Sequence, residues 1–264
     1  MKLEAFEAKI ACSVSEILRE AGKAIMDVYQ SGFSVELKND RSPLTKADKL
    51  SHEIVAGYLK THSPFPVMSE EGKEIPFEER MNWEQFWLLD PLDGTKEFIK
   101  RNGEFTVNLA LIRGDRPVAG AIYVPAKDIL YYAAKGMGSY KQESGKTTKL
   151  PHKTRSNRFT VVGSRSHVSE EFESYVRIVE QRHGAVEIIS AGSSLKFCLV
   201  AEGSADIYPR LGPTMEWDTA AGQIIVEEAG GRVLEVGGTK SLAYNKACLV
   251  NSHFIAMNMP LKAT

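Results

Sequence analysis

Two aspartates stand three residues apart after a short apolar run, Asp90 and Asp93 in the segment Trp87-Leu-Leu-Asp-Pro-Leu-Asp-Gly-Thr95. Carboxylates at a strand end place negative charge at the rim of a sheet, and hard cations such as Mg²⁺ take such oxygen ligands. Gly94 and Thr95 then offer free backbone N–H groups, which suit a phosphate. Metal beside phosphate predicts metal-assisted phosphoryl chemistry. A surface turn is the alternative interpretation, because Asp-Pro and Asp-Gly are common turn dipeptides.

Further carboxylates stand where predicted elements begin or end. Glu70 and Glu71 follow a strand predicted over 65–68, and Asp218 opens a helix predicted over 217–229. Carboxylates that gather at one place repel each other unless a cation lies between them, and Mg²⁺ accepts carboxylates, carbonyls and waters as ligands. For Asp218 the helix N-cap is an equally good interpretation, and one carboxylate can serve both roles.

The composition is typical of a soluble globular protein, since 43% of the 264 residues are hydrophobic and 25% are charged. The net charge of −1 creates no field that would attract a nucleic acid polymer or an anionic membrane. Three distant cysteines, Cys12, Cys198 and Cys248, favour buried free thiols in a reducing compartment. Charged residues interrupt the first ten positions, and no run reaches the roughly 18 apolar residues of a membrane span. We therefore expect a cytoplasmic protein without an integral membrane segment, while peripheral attachment to a bacterial inner membrane and the oligomeric state stay open.

The hydrophobic pattern predicts helices and strands along the whole chain. In the first part it predicts helices over 3–28 and 46–60, and strands over 34–38, 65–68, 86–89, 105–112, 118–124 and 129–133. Residues 141–158 are polar and basic, which indicates a surface loop and linker. The remainder is predicted to alternate strands over 159–163, 185–189, 205–208, 232–236 and 247–250 with helices over 169–182, 193–202, 217–229 and 252–258. Such interleaving favours an α/β layer arrangement.

Three motifs in this order resemble those of the inositol monophosphatase superfamily of Mg²⁺-dependent phosphatases. They are Ser69-Glu-Glu71, Asp90-Pro-Leu-Asp-Gly-Thr95, and Trp217-Asp218 followed by small residues and Glu227-Glu-Ala-Gly-Gly231. The resemblance implies an α/β (α+β) layered sandwich like those of inositol monophosphatase and fructose-1,6-bisphosphatase. It implies an N-terminal α+β half over 1–150, a C-terminal α/β half over 151–264, and a site between them, where ligand pockets commonly form.

Within that superfamily, the string from Asp90 to Thr106 closely resembles the 3'(2'),5'-bisphosphate nucleotidases of CysQ type. Inositol phosphatases usually carry Thr-Asn-Phe where this chain has Lys96-Glu-Phe98. The segments 38–48, 193–197 and 205–210 also fit the nucleotidase form. The resemblance implies hydrolysis of adenosine 3',5'-bisphosphate to AMP and phosphate, in sulfur assimilation and nucleotide recycling.

The resemblance also implies a site with two or three Mg²⁺ ions, with Mn²⁺ as an alternative. Glu70, Asp90 and the Leu92 carbonyl would hold the first ion. Asp90, Asp93 and Asp218 would hold the second, and Glu70 would help to hold a weaker third.

The catalytic set that the resemblance implies is Asp48, Glu70 and Thr95. Thr95 would donate a hydrogen bond to Asp48, and the two would orient and deprotonate the attacking water. A bound cation lowers the pKa of such a water.

In the resembling nucleotidases, Ser193, Lys196 and Arg210 correspond to nucleotide contacts, and the planar fork of an arginine binds phosphate oxygens bidentately. His167 would lie over the base or its phosphate, with a solvent-exposed loop histidine as the equal alternative. For Lys196 the alternative is an exposed helix lysine, and Arg165 is a further candidate phosphate contact. The implied substrate-binding set is Glu70, Leu92, Asp93, Gly94, Thr95, His167, Ser193, Lys196, Arg210 and Asp218.

Two rival interpretations stay open. The same chemistry could act on inositol monophosphate, fructose 1,6-bisphosphate or 3'-phosphoadenylyl sulfate, although Lys96-Glu-Phe98 and Arg210 argue against a simple inositol phosphatase. A non-catalytic nucleotide or metal sensor would need a lost ligand, and the chain retains Glu70, Asp90, Asp93, Thr95 and Asp218.

Overall fold

The chain folds into five layers in which helices alternate with two β-sheets. The computed structural model describes residues 2–37, 43–152, 158–165 and 169–258, with side chains from residue 14 onward. Two helices cover the outer face of a seven-stranded sheet, two lie between the sheets, and one covers the outer face of a five-stranded sheet. The predicted layered α/β fold is confirmed, whereas the division into halves at residue 150 stays a prediction.

The first sheet takes its strands in chain order. It follows helices α1 (Lys2–Gln30) and α2 (Lys46–His62) and a small hairpin of β1 (Val35–Leu37) and β2 (Pro43–Thr45). Short helices α3 (Phe77–Arg80) and α4 (Thr95–Ile99) and a 3₁₀ turn (Pro125–Lys127) connect its strands. The strands are β3 (Val67–Ser69), β4 (Gln85–Asp93), β5 (Thr106–Arg113), β6 (Arg116–Val124), β7 (Ile129–Ala134), β8 (Gly138–Glu143) and β9 (Lys146–Lys149).

The second sheet interleaves its strands with the remaining helices. Its strands are β10 (Thr160–Ser164), β11 (Glu187–Ala191), β12 (Ile207–Arg210), β13 (Arg232–Glu235) and β14 (Phe254–Met257), in the order β11-β10-β12-β14-β13. The helices are α5 (Glu170–His183), α6 (Leu195–Glu202) and α7 (Glu216–Glu228). Helices α6 and α7 form the central layer, so they contact both sheets.

Helix α7 packs directly on the first sheet because small residues line the contact. A Cβ added to Gly120 on β6 would lie 2.9 Å from the Cα of Ala221 and 2.6 Å from a methyl carbon of Ile224. On the other side, a Cβ on Gly222 would lie 2.4 Å from the Phe197 ring of α6. This close approach fixes the position of the N-terminus of α7, and therefore of Asp218, relative to the first sheet.

A bulge in β4 brings its two aspartates to one face of the sheet. Asp90 pairs with Asn108 and Asp93 with Thr106, so three steps along β4 match two steps along β5. Strand side chains alternate between faces, and one extra residue reverses that alternation. Pro91 falls in this irregular stretch, where its missing N–H interrupts no regular ladder.

The expectation of a loop over 141–158 is wrong for its first part. Strands β8 and β9 form an antiparallel hairpin around Ser144 and Gly145, whose φ angles are 49° and 75°. Two positive φ angles suit a tight hairpin turn. The polar composition of this segment reflects an exposed sheet edge, and residues 153–157 lie outside the described residues.

The expected strand over 247–250 and the expected helix over 252–258 are also wrong. Residues 247–250 cross the N-terminus of α7, where Val250 makes an isolated bridge to Met215. Strand β14 then pairs with both β12 and β13 and buries Phe254 and Ala256. Pairing on two sides and burial decide its structure, because strand formation depends strongly on tertiary context.

The cysteine expectation holds for Cys198, which is buried, and is wrong for Cys248, which is exposed. The side chain of Cys12 lies outside the described side chains. Among the described residues, no helix combines the length and the apolar character needed to cross a membrane.

Candidate active site

The N-terminus of α2 brings Asp48 to Thr95. Asp48 Oδ2 accepts hydrogen bonds from the backbone N–H (2.7 Å) and the hydroxyl (2.6 Å) of Thr45, in the arrangement of a capping box. Its Oδ1 accepts from the Thr95 hydroxyl at 3.2 Å. Burial raises the pKa of Asp48, although the hydrogen bonds from Thr45 lower it. A carboxylate with raised proton affinity therefore stands beside a hydroxyl, as general-base chemistry requires.

Thr95 owes its place to the turn between β4 and α4. Gly94 has a φ of 88°, and a Cβ there would lie 3.1 Å from both the Glu104 carbonyl oxygen and the Ser193 Cβ. Only glycine suits such a turn without strain. The Thr95 hydroxyl also lies 3.3 Å from the Leu92 carbonyl oxygen, so the end of β4 and the start of α4 are held together.

Asp90 lies among three other carboxylates. It is 1% exposed, and its Oδ1 accepts a hydrogen bond from the Leu92 N–H at 3.0 Å. Burial, and then the charges of Glu70, Asp93 and Asp218, raise the pKa of Asp90 well above its usual range. Burial and the charge of Asp93 do the same to the pKa of Asp218. A cation would relieve this repulsion, and every donor is a hard oxygen atom of the kind that Mg²⁺ binds.

Within the described residues, no three His, Cys, Asp or Glu side chains are already arranged as a cation site. Asp218 Oδ2 accepts from the Met215 N–H at 2.8 Å, and Asp93 Oδ2 accepts from the Ser194 N–H at 2.7 Å. These bonds orient the two carboxylates, while like charge keeps them apart. The burial and chemistry of the donor set fit Mg²⁺, whose charge would draw the carboxylates together.

A hydroxyl network surrounds Asp93. Its Oδ2 accepts from the hydroxyls of Ser193 (2.7 Å) and Ser194 (2.8 Å) in addition to the Ser194 N–H. On β5, the Thr106 hydroxyl lies 2.6 Å from the Ser193 hydroxyl, and the Asn108 amide donates weakly to Asp93 at 3.4 Å. The network joins the first sheet to the turn before α6.

Buried polar groups hold the N-terminus of α7. The fully buried Glu216 accepts from the backbone N–H (3.0 Å) and the Nζ (2.7 Å) of Lys246. Asn251 donates from its amide to the Met215 carbonyl at 2.7 Å. Because Asp218 accepts from the N–H of that same Met215, these contacts fix the direction of its carboxylate.

Lys196 is buried rather than exposed, so the alternative of a solvated helix lysine is wrong. Its Nζ donates to the carbonyls of Ser193 at 2.6 Å and Ala191 at 3.3 Å, and it lies over the Tyr208 ring at 5.4 Å. Burial lowers the pKa of Lys196 to about 8, even though the charge of Asp93 raises it. Lys196 lines a small pocket of about 120 Å³ together with Asp93 and Arg210, and its ammonium group stabilises the turn at 191–193.

Arg165 is engaged with a carboxylate. Its guanidinium donates to both oxygens of Glu104, at 2.7 and 2.8 Å, and to the Ser190 carbonyl at 2.9 Å. Glu104 also accepts from the Gly192 N–H at 2.8 Å. Although burial raises the pKa of Glu104, the hydrogen bonds from Arg165 and Gly192 lower it overall. Arg165 therefore fastens the turn before α6.

A cleft of about 670 Å³ runs from the carboxylates to Arg210 and on to Ser164 and Phe172. Arg210 donates from Nη2 to the Pro213 carbonyl at 2.9 Å. Its Nε is buried without a hydrogen-bond partner in the described structure. A buried donor has lost its bound water, and it costs free energy as long as no acceptor replaces that water.

Residues 7–262 match the inositol monophosphatase family model. The chain belongs to the inositol monophosphatase family. It is 47% identical over 234 residues to the 3'(2'),5'-bisphosphate nucleotidase CysQ of Salmonella typhimurium, covering 88% of this chain and 92% of that protein. It matches the crystal structure of CysQ from Bacteroides thetaiotaomicron with a TM-score of 0.88 and 43% identity, over 97% of this chain and 99% of that one. An IMPase/NADP phosphatase complexed with Mg²⁺ and phosphate shares the fold, with a TM-score of 0.76 at 20% identity, over 98% and 92% of the two chains.

In this member of the inositol monophosphatase family, most of the residues predicted for the site lie together, while their roles stay predictions. His167 lies outside the described residues. The predicted residues that line or border the cleft are Asp48, Glu70, Asp90, Leu92, Asp93, Gly94, Thr95, Ser193, Lys196, Arg210 and Asp218. The sequence analysis assigned no role to the residues that brace them, Glu104, Thr106, Asn108, Ser194, Glu216 and Asn251. Glu104, Thr106 and Ser194 stand in segments quoted for the resemblance, and no role was assigned to them there.

Proposed function

We propose that this protein is a Mg²⁺-dependent phosphatase that hydrolyses the 3'-phosphate of adenosine 3',5'-bisphosphate to give AMP and phosphate. The cleft carries the proposal, because it joins the carboxylate group to the Arg210 side chain in a space of about 670 Å³. Such a space accommodates a nucleoside with two phosphates, and a single sugar phosphate would leave much of it empty. The names of the CysQ relatives support the same substrate. We place the reaction in sulfur assimilation and nucleotide recycling in the cytoplasm.

The proposed cation ligands are the carboxylates described above. Glu70, Asp90 and the Leu92 carbonyl would hold one Mg²⁺, and Asp93 and Asp218 would join Asp90 around another. When bound, these cations lower the pKa of water and neutralise charge on the phosphoryl group. Mn²⁺ shares the preference for carboxylate and carbonyl oxygens, so we propose it as a substitute.

The proposed base is the Thr95–Asp48 pair. Thr95 donates its proton to Asp48 Oδ1, so the lone pairs of its hydroxyl oxygen can accept from the attacking water. As the water oxygen attacks phosphorus, its proton moves to Thr95 and the Thr95 proton moves to Asp48. The P–O3' bond breaks, and the departing ribose oxygen takes a proton from solvent. The raised pKa of Asp48 favours its role as acceptor.

The other phosphate would lie towards Arg210 and Lys196. The Arg210 guanidinium lines this space, and a charge-assisted hydrogen bond to phosphate is stronger than a neutral one. Lys196 gives two of its three ammonium protons to backbone carbonyls, which leaves one for an anion. These contacts would distinguish a bisphosphate from a monophosphate.

The test is phosphate release, with and without Mg²⁺, from adenosine 3',5'-bisphosphate, inositol 1-phosphate, fructose 1,6-bisphosphate and AMP. We expect kcat/KM to favour the first by at least about tenfold, which corresponds to roughly 1.4 kcal/mol of differential transition-state binding. A preference for an inositol or sugar phosphate would overturn the nucleotide pocket and keep the metal ligands. Absence of release from every compound would indicate a binding protein.

Two variants link the activity to this site. Asp48→Asn removes the proposed proton acceptor but retains most of its shape, so turnover should fall at least about 100-fold, within the range for general-base removal. Asp115→Asn is the matched control, because Asp115 is an exposed residue of the turn between β5 and β6. An equal loss in both variants would show that the loss does not come from the site.

A further inference from the structure

The Thr106 hydroxyl contacts a serine that donates to Asp93. Ser193 donates its only hydroxyl proton to Asp93 Oδ2 at 2.7 Å. The Thr106 hydroxyl lies 2.6 Å from the Ser193 hydroxyl oxygen and 2.9 Å from Asn108 Oδ1, and its single proton can be donated to only one of these two acceptors at a time. Thr106 is fully buried on β5 and opposes Asp93 directly in the β4–β5 register. A chain of hydroxyl contacts therefore runs from Thr106 through Ser193 to Asp93.

Ser194 provides a second set of contacts between Thr106 and Asp93. Ser194 gives Asp93 both its N–H and a hydroxyl contact, at 2.7 and 2.8 Å. The Ser194 hydroxyl also lies 2.7 Å from Asn108 Oδ1 and 2.9 Å from the Thr106 hydroxyl. Thr106 is thus the one hydroxyl in the described structure that touches both serines and the asparagine.

The turn that carries these serines needs such support. Ser193 has a φ of 54°, a left-handed conformation that a non-glycine residue adopts at an energetic cost. The Nζ of Lys196 donates to the Ser193 carbonyl at 2.6 Å, and the hydroxyl of Thr106, on the first sheet, contacts the Ser193 hydroxyl. The same turn provides three of the donors to Asp93 Oδ2, so its conformation and the direction of that carboxylate depend on each other.

We propose that Thr106 is the positioning residue for Asp93: its hydroxyl contacts Ser193 and Ser194, which donate to Asp93 Oδ2, holds them in place and so presents the other oxygen of Asp93 to the cation. This inference rests on the proposed function, in which Asp93 is a cation ligand. Groups that orient a ligand in this way typically change metal affinity or activity by about 10- to 100-fold when they are removed. Thr106 touches neither substrate nor cation in this scheme.

The experiment measures Mn²⁺ binding to the metal-free full-length protein by electron paramagnetic resonance, without substrate. Thr106→Val keeps the branched shape and removes the hydroxyl, and we expect the Mn²⁺ dissociation constant to rise by about 10- to 100-fold. Thr106→Ser keeps the hydroxyl and should bind Mn²⁺ like the unmodified protein. Thr160→Val is the control, because Thr160 is a buried strand residue whose hydroxyl, among the described residues, makes only a 3.4 Å contact to the Arg158 carbonyl.

The outcomes separate positioning from packing. Normal Mn²⁺ binding by Thr106→Val overturns the proposal, and so does a loss of equal size in Thr106→Ser, which would indicate packing rather than the hydroxyl. If Thr106→Val does not fold, Ser193→Ala cuts the same chain at its next member and must weaken Mn²⁺ binding, or the proposal fails.

The assay of phosphate release distinguishes this inference from the proposed function. A Mn²⁺ effect in Thr106→Val, together with no hydrolysis of adenosine 3',5'-bisphosphate by the unmodified protein, would support the positioning role and overturn the nucleotidase. Hydrolysis of adenosine 3',5'-bisphosphate by the unmodified protein, together with unchanged Mn²⁺ binding in Thr106→Val, would support the nucleotidase and overturn the positioning role.

Discussion

Asp90 and Asp93 point to the same face of the seven-stranded sheet although they are three positions apart along the strand. Their partners on β5, Asn108 and Thr106, are two residues apart, and the extra residue on β4 corrects the alternation. In a regular strand one of the two carboxylates would enter the opposite face. The bulge therefore places both negatively charged carboxylates on one face of the sheet.

Asp90→Asn should separate activity from stability. The amide keeps the shape but removes the central charge, so turnover should fall at least about 100-fold, the size of one lost electrostatic element. In the metal-free protein, removal of a buried charge that faces Glu70, Asp93 and Asp218 should raise the midpoint of thermal unfolding. Phosphate release and calorimetry in the presence of a chelator measure the two effects. Near-normal turnover of Asp90→Asn would show that Asp90 is not a ligand shared by the two proposed cations.

The motif residues could be predicted from the sequence because each stands at the end of an element that the hydrophobic pattern reveals. Asp48 and Asp218 lie in the first turns of helices, and Asp90 directly follows the strand predicted over 86–89, so their positions follow from local rules. Their neighbours could not be predicted. Nothing near Asn108 shows that it will oppose Asp90, because the pairing depends on a bulge and on a strand partner distant in sequence.

The errors in the predicted elements have the same cause. Strand β14 was predicted as a helix, and it becomes a strand because β12 and β13 pair with it on both sides. The β8–β9 hairpin was predicted as a loop, since an exposed edge needs no apolar face. Burial of Lys196 was likewise not visible in the sequence, because the carbonyls of the 191–193 turn that hold it take their positions only in the folded chain.

The pKa of Lys196 predicts how nucleotide binding changes with pH. Since burial lowers this pKa to about 8 and an anion favours the protonated form, the dissociation constant of AMP should rise as pH increases above 8. For one linked proton the change approaches about tenfold per pH unit. Titration calorimetry over this range measures it. Lys196→Met should bind AMP weakly at every pH and lose this dependence, whereas the exposed control Lys240→Met should keep it.

Glu202 predicts a different pH dependence, in stability. Burial alone would raise its pKa, but hydrogen bonds from Tyr131, Lys141 and Ser204 lower it from 4.5 to about 2. Because the folded pKa lies below the unfolded value, the stabilisation is complete above about pH 4.5 and is lost as pH falls towards 2. Its full size is about 3 kcal/mol.

Urea unfolding of Glu202→Gln checks this value. At pH 7 the free energy of unfolding of the variant should be lower than that of the unmodified protein by most of the contribution from Glu202. This difference in the free energy of unfolding should shrink in acid. Glu180→Gln, an exposed change on α5, is the control and should alter stability little at either pH. A deficit that stays constant down to pH 3 would mean that packing, rather than charge, holds Glu202 at the end of α6 against β7 and β8.

Two glycine substitutions should act in opposite directions. In Gly120→Ala, the new Cβ would meet Ala221 backbone at 2.9 Å, so α7 must move away from β6 and carry Asp218 with it. We expect a loss of about 1–3 kcal/mol in stability, as for other overpacked sites, and a weaker apparent affinity for Mg²⁺. In Gly57→Ala, on the exposed side of α2 with no atom within 4 Å, better helix propensity should instead add up to about 1 kcal/mol. Urea unfolding and the Mg²⁺ dependence of phosphate release measure both variants. If Gly120→Ala lowers stability but leaves the Mg²⁺ dependence of phosphate release unchanged, the packing of α7 on β6 does not determine the position of Asp218 relative to the cation.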